Sequence, residues 1–190
     1  MVKLEDARLL RVTEEELLRF SLRENGELPE EEIERLERSA RASQTRTDAA
    51  NIIGSRALSK QELTQRLVRK GAEEEDAQAA AGWLEEIGAL DDANYAASVV
   101  RHYGGKGYGP ARVREELRRR GVDRELWDAA LEELPDPEEI LDELIRKKCR
   151  GDLSGRRELK RVSDSLLRRG FSWNDVKAAL RRYTEILEDE

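Results

Sequence analysis

The chain has 190 residues, of which 41% are charged and 5% aromatic; its mean hydropathy is −0.80 and its net charge −7 at neutral pH. That leaves material for a thin core, suits an elongated body with large solvated faces better than a compact α/β enzyme, and argues against strong non-specific nucleic-acid binding, which rests on phosphate neutralisation. No apolar run is long enough to span a bilayer, the acidic start lacks a signal-peptide core, and one cysteine, Cys149, suits a reducing cytoplasm.

Residues 1–50 carry nine basic and thirteen acidic side chains, whereas residues 151–190 carry nine and eight. The acidity is therefore concentrated at the front. Residues 2–12 leave room for one strand at most. Thr13 followed by Glu16 is a capping box that opens the first helix, and Asn25-Gly26 stops it. Leu17, Leu18 and Leu22 give that helix an apolar side. Pro29 with Glu30, Glu31 and Glu32 suits the positive end of a second helix, striped by Ile33, Leu36 and Ala40. The polar residues 39–48 either continue that helix or fray, and residues 49–54, with Ile52 and Ile53, look like a helix end.

Ser59 and Glu62 form a second capping box, starting a helix that ends at Gly71. A third helix follows over residues 73–88, with Ala77, Ala80, Ala81, Trp83, Leu84 and Ile87 inward. The pattern then restarts. Residues 92–103 place Tyr95, Val99, Val100 and Tyr103 at helical spacing. Pro110 opens the next helix, Gly121 ends it, and Asp123 caps a helix running to Leu134. Pro135 and Pro137 punctuate; Ile140, Leu141, Leu144 and Ile145 mark a helix ending near Gly151. Residues 155–169 and 172–187 complete the count, the last with a Ser172 to Asp175 start.

Three of these segments align on a glycine. Leu63, Leu67 and Gly71 correspond to Val113, Leu117 and Gly121, and to Val162, Leu166 and Gly170. A basic pair precedes each glycine: Arg69-Lys70, Arg119-Arg120 and Arg168-Arg169. Each glycine sits where a helix C-terminus takes a left-handed residue, and each pair faces the negative end of the helix dipole. Ala80-Ala81, Ala130-Leu131 and Ala179-Leu180 extend the match downstream. A period of about fifty residues signals stacked supersecondary units. The expected fold is all-α: an acidic N-terminal helical region over residues 1–45, then three tandem helix-turn-helix-like, three-helix repeats over residues 46–90, 91–135 and 136–190.

The segment from Ala57 to Gly71, the acidic Asp91-Asp92 followed by Tyr95-Ala96, and above all the stretch from Gly107 to Gly121 (Gly-Tyr-Gly-Pro followed by Arg112-Val113 and Leu117) resemble the RecX family of bacterial RecA regulators. The resemblance covers roughly residues 50–187. It implies tandem three-helix repeats, in agreement with the periodicity. It also implies an activity: binding in the groove of the RecA–DNA filament, blocking its extension, and damping ATP hydrolysis, strand exchange and coprotease function, as a modulator and not an enzyme. Many members begin with a short strand pair, for which residues 2–12 leave room for one strand at most.

The glycine-rich run from Gly104 to Pro110 is not a phosphate-binding Walker loop, since Lys106 is followed by Gly107 and what precedes is helical. It is expected to be a flexible joint between helices, letting the second repeat swing. Tyr108 is open to two fates, a surface contact or a packed ring. Arg112, Arg114, Arg118, Arg119 and Arg120 form the densest cationic stretch, and Arg156, Arg157, Lys160, Arg161, Arg168 and Arg169 repeat it. Either these are solvated faces with local partners such as Glu115 and Glu116, or they meet acidic protein surface or DNA phosphates. Together with Gly107, Tyr108 and Gly109 they are the expected contacts with a RecA filament or DNA. With Arg66, Arg69 and Lys70 alone in the first repeat, that surface should fade toward the N-terminus.

Trp83 and Trp127 are expected in cores and Trp173 partly exposed. His102 has no partner for proton transfer. Cys149, beside Lys147, Lys148 and Arg150, is open to a lowered pKa, yet is expected to be an ordinary thiol, and no metal-ligand spacing occurs. The expected protein is a cytoplasmic monomer without cofactors whose partner is the RecA filament, with weak contact to single- or double-stranded DNA. Two rivals are a weak DNA-binding repeat protein and a helical scaffold for another partner.

Overall fold

Short side chains able to satisfy free backbone amides set where the helices begin. At the start of α1 (Glu14–Arg19) the Thr13 hydroxyl accepts from the Glu16 amide at 3.2 Å, and the Glu16 carboxylate accepts from the Thr13 amide at 2.8 Å. The same box, Ser59 with Glu62, starts α3 (Lys60–Arg69). Pro110 occupies the first turn of α6 (Pro110–Arg119), where its missing N–H costs nothing. The Ser172 hydroxyl caps α10 (Trp173–Glu188) by accepting from the Asp175 amide at 3.1 Å.

The structure is a computed structural model that describes residues 1–4, 9–24, 26–148 and 155–188. The expectations placed on Asn25, Cys149 and Gly151 lie outside the described residues. The chain forms two compact units, residues 1–91 and 92–190.

The first unit begins with a two-stranded antiparallel pair, β1 (Val2–Lys3) and β2 (Leu9–Leu10), in the register Val2 opposite Leu10. One strand at most was expected; strands of two residues fit where strands of ordinary length, about five or six residues, would not. Helix α1 stops at Arg19, earlier than the Asn25-Gly26 signal, with Ser21 at φ 48°. Its inward residues are Glu16 and Phe20, while Leu17 and Leu18 are exposed, so the expected apolar side faces outward. The carboxylate of Glu16 explains this rotation, because it accepts from the Ser39 and Ser43 hydroxyls, each at 2.8 Å.

Residues 39–48 do not fray: α2 runs unbroken over Glu30–Ser55. Thr45 and Thr47 return their hydroxyls to carbonyls four residues back, which keeps polar positions inside the helix. Leu36, Ala40, Ala49 and Ile52 are buried along it. The C-terminal part of α2 packs with α3 and α4 (Glu74–Glu86) around Leu63, Leu67, Ala77, Ala80, Ala81 and Leu84. Ile87, expected inward, caps α4 and is 58% exposed because the helix ends one residue before it.

The second unit holds two further cores. Helices α5 (Asp92–Gly105) and α6, a 3₁₀ turn (Arg124–Leu126) and α7 (Trp127–Leu131) surround Tyr95, Val99, Val100, Val113, Leu117 and Ala130. The helix after Asp123 was expected to reach Leu134. It begins as a 3₁₀ turn and ends at Leu131. The third core, around Leu141, Ile145, Val162, Leu166, Phe171 and Val176, lies between α8 (Pro137–Lys148), α9 (Arg156–Arg168) and α10.

Equivalent positions do the same work in the three repeats. Leu67, Leu117 and Leu166 are at most 1% exposed, each contributing roughly 1.5–3 kcal/mol by burial. Gly71, Gly121 and Gly170 all have positive φ, at 100°, 65° and 92°. The architecture is all-α apart from the short strand pair. No helix among the described residues is long and apolar enough to cross a membrane.

Candidate functional site

The glycine-rich run lies between α5 and α6, both in the second repeat, and it is not free to swing. It is docked on the turn that ends α9 in the third repeat. The Gly109 amide donates to the Arg169 carbonyl at 2.8 Å and the Ala111 amide to the Gly170 carbonyl at 3.1 Å. Carbonyls at the C-terminal end of α9 therefore meet amides at the N-terminal end of α6.

Arg169 closes the joint from the side. Its Nη1 donates to the Lys106 and Gly107 carbonyls at 2.9 and 3.0 Å, and its guanidinium lies 5.5 Å from the Tyr108 ring centroid. Tyr108 in turn packs against Tyr103, with ring centroids 5.6 Å apart. Tyr108 is thus a partly packed ring. Gly107, Tyr108, Gly109 and Arg169, all expected at a partner surface, join two repeats to each other.

Three of the five arginines on α6 and its C-terminal cap also have partners within the second repeat. Glu116 is 3% exposed, and it accepts from the Tyr103 hydroxyl at 3.0 Å and from Arg119 at 2.6 and 3.1 Å. Arg112 bridges it to Glu115, at 3.3 Å from the first and 2.6 Å from the second. Burial pushes the Glu116 carboxyl up, but the hydrogen bonds from Arg119 and Tyr103 and the charges of Arg119 and Arg112 outweigh it, so the group titrates below the ordinary value. Arg120 donates to the Tyr95 hydroxyl at 2.7 Å.

Arg114 and Arg118 remain. Both are exposed, one turn apart on α6, and among the described residues neither has an ion pair. On α9, Arg161 reaches Glu158 at 3.8 Å, whereas Arg156, Arg157, Lys160 and Arg168 are exposed and lack ion pairs among the described residues. In the first unit Arg69 and Lys70 are exposed and Arg66 half-buried. The expected cationic residues therefore divide into those with partners inside the second unit (Arg112, Arg119, Arg120, Arg161, Arg169) and an exposed set without ion pairs among the described residues. Glu116 was legible only as a local partner; its place between Val113 and Leu117, beside the apolar stripe, was the signal that it is buried.

His102 packs edge-on against Tyr103, with centroids 5.3 Å apart. Trp173 is 58% exposed. Trp83 and Trp127 are half-buried, and Trp127 donates its indole N–H to the Val122 carbonyl at 3.0 Å. No group of three or more His, Cys, Asp or Glu among the described residues is placed to hold a metal ion.

The family model of the RecX second three-helix domain matches residues 91–131, and that of the RecX third three-helix domain matches residues 136–180. The regulatory protein RecX of Xanthomonas axonopodis pv. citri (strain 306) is 40% identical over 138 residues, covering 70% of this chain and 83% of the relative. That of Stenotrophomonas maltophilia (strain R551-3) is 38% identical over the same length and shares of both chains. A crystal structure of regulatory protein RecX is similar in fold, with a TM-score of 0.77 at 23% identity, over 90% of this chain and 86% of that one. The crystal structure of RecX from Lactobacillus salivarius gives 0.66 at 20% identity, over 76% and 97%.

Proposed function

Because the chain belongs to the RecX family of regulatory proteins, we propose that it is a negative regulator of the RecA recombinase. It lies in the groove of the RecA–DNA filament, hinders filament extension, and lowers RecA-dependent ATP hydrolysis, strand exchange and coprotease activity. It acts as a cytoplasmic monomer, by binding and without chemistry of its own, in DNA repair and the SOS response.

The observation that carries this proposal is the division of the cations. Arg112, Arg119, Arg120 and Arg169 already have partners within the second and third repeats, which leaves Arg114, Arg118, Arg156, Arg157, Lys160 and Arg168 to meet the filament. Arginine forks pair equally well with carboxylates of a protein surface and with phosphates. Single exposed pairs are weak, about 0–1 kcal/mol each. Several contacts made at once by repeats held together add as multivalent binding.

The test is ATP hydrolysis by RecA on single-stranded DNA, with this protein titrated in. Inhibition that saturates near filament-site stoichiometry supports the assignment. Unchanged hydrolysis at several-fold excess over filament sites sinks it. The same outward cations allow a second reading, weak direct DNA binding. Tight, sequence-selective binding to labelled DNA without RecA would favour that one.

A further inference from the structure

The first unit contains a polar hollow that filament binding by the second unit does not use. It lies between α1 and α2 and encloses about 380 Å³, room for roughly a dozen water molecules at their liquid volume. Its floor is Glu16 and Phe20, 3% and 8% exposed. Its rim is Arg19 from α1 and Arg35, Arg38 and Arg46 from α2. Ala42, one turn from both Arg38 and Arg46, leaves the space between them. Four arginines thus line one hollow within the most acidic stretch of the chain.

We propose that this hollow binds a terminal phosphate, a phosphomonoester dianion, carried by a nucleotide or by the end of a nucleic-acid strand. Of the four lining arginines, Arg35 and Arg38 are matched by Glu32 and Glu34, which leaves the two charges of Arg19 and Arg46 for a ligand. A phosphomonoester carries about −1.5 to −2 at neutral pH. The floor carboxylate does not compete for the arginines: Glu16 already accepts from the Thr13 amide and from the Ser39 and Ser43 hydroxyls. Arg35 and Arg38 are held by Glu32 at 2.6 Å and Glu34 at 3.9 Å. Arg19 lies against the Phe20 ring at 5.6 Å. Arg19 and Arg46 have no carboxylate partner among the described residues, so both are available to a ligand. Planar guanidinium forks matched to phosphate oxygens supply the recognition.

The experiment uses the full chain and a short single strand labelled at its 3′ end, with either a 5′-phosphate or a 5′-hydroxyl. Fluorescence anisotropy should show the phosphorylated strand bound roughly tenfold more tightly or better. Arg46→Ala and Arg19→Ala should each remove most of that preference, Arg46→Lys should keep part of it, and Arg124→Ala, an exposed arginine with no part in either surface, all of it. Competition by a nucleoside monophosphate as effective as by the phosphorylated strand would assign the ligand to free nucleotides, and weaker competition to strand ends; either supports the site. Arg46 is exposed, so its variants are expected to keep wild-type helix content by circular dichroism. Equal affinity for the two strands, an unchanged preference in a folded Arg46→Ala, or equally effective competition by an acidic peptide overturns the proposal. Because Arg19 and Arg46 belong to the first unit and Arg114 and Arg118 to the second, these results are separable from the test of RecA inhibition.

Discussion

Gly109 and Gly170 approach so closely that neither can carry a side chain. A Cβ on Gly109 would stand 2.6 Å from the Gly170 carbonyl oxygen, and one on Gly170 would stand 2.4 Å from the Arg112 amide nitrogen. The two glycines are where the second repeat is fastened to the third. Gly71, the equivalent of Gly170 in the first repeat, has a left-handed φ of 100° but open space around its Cα.

The two positions should therefore respond differently to alanine. Gly170→Ala adds a clash to backbone strain and should lower stability by about 2–4 kcal/mol, whereas Gly71→Ala adds strain alone and should cost about 1 kcal/mol. Urea unfolding followed by circular dichroism measures both. Equal losses would mean that close approach at Gly170 contributes nothing.

Arg169→Lys keeps the charge but loses the planar fork that reaches two carbonyls and the Tyr108 ring. A loss of about 1–2 kcal/mol is expected. Arg168→Ala, one residue away on an exposed side chain, should stay within about 0.5 kcal/mol. Thermal melts of both variants check the pair.

Acid should act through two buried carboxylates. Burial alone would raise the Glu16 carboxyl, but the Thr13 amide and the hydroxyls of Ser43, Ser39 and Thr13 outweigh it, so its folded pKa is lowered, as is that of Glu116. With folded values below unfolded ones, the stabilisation is complete above the unfolded pKa, about 4.3 for glutamate. It is lost as pH falls from there through the folded value. Glu116→Gln and Glu16→Gln should each be less stable than wild type at neutral pH and should flatten the decline below about pH 4.3. Urea midpoints between neutral and acid pH test this; wild-type slopes in both variants would contradict it.

Ser59→Ala removes the side-chain acceptor of the Glu62 amide and should cost about 1 kcal/mol, and Thr13→Ala a similar amount at α1. Hydrogen exchange should register the first at the start of α3 and the second at the start of α1. No change at the capped amides would show that the boxes are not what holds those helix ends.

Much of this was legible in the sequence because it is local. Capping boxes at Thr13 and Ser59, Pro110 at a helix start, and the glycines ending equivalent helices depend on neighbours within a few residues. The burial of Leu67, Leu117 and Leu166 follows from helical spacing. What escaped depends on contacts distant in sequence. The Gly104–Pro110 run has the composition of a joint, and only the Gly170 turn, some sixty residues on, makes Gly109 a requirement of close approach. Likewise the arginines of α6 look alike in sequence. Both Arg118 and Arg119 are exposed, and Glu116, held by Tyr103, is what gives Arg119 a partner that Arg118 lacks. Leu17 and Leu18 misled because Glu16, tied to Ser39 and Ser43, takes the inward position.

The most direct test of regulation through the outward cations is RecA-dependent ATP hydrolysis on single-stranded DNA, comparing wild type with the double variant Arg114→Glu/Arg118→Glu. Neither side chain has an ion pair among the described residues, so the fold should persist by circular dichroism. Wild type is expected to inhibit, and the folded double variant to need at least roughly tenfold more protein for the same effect. Inhibition by the double variant at wild-type concentrations would contradict the account.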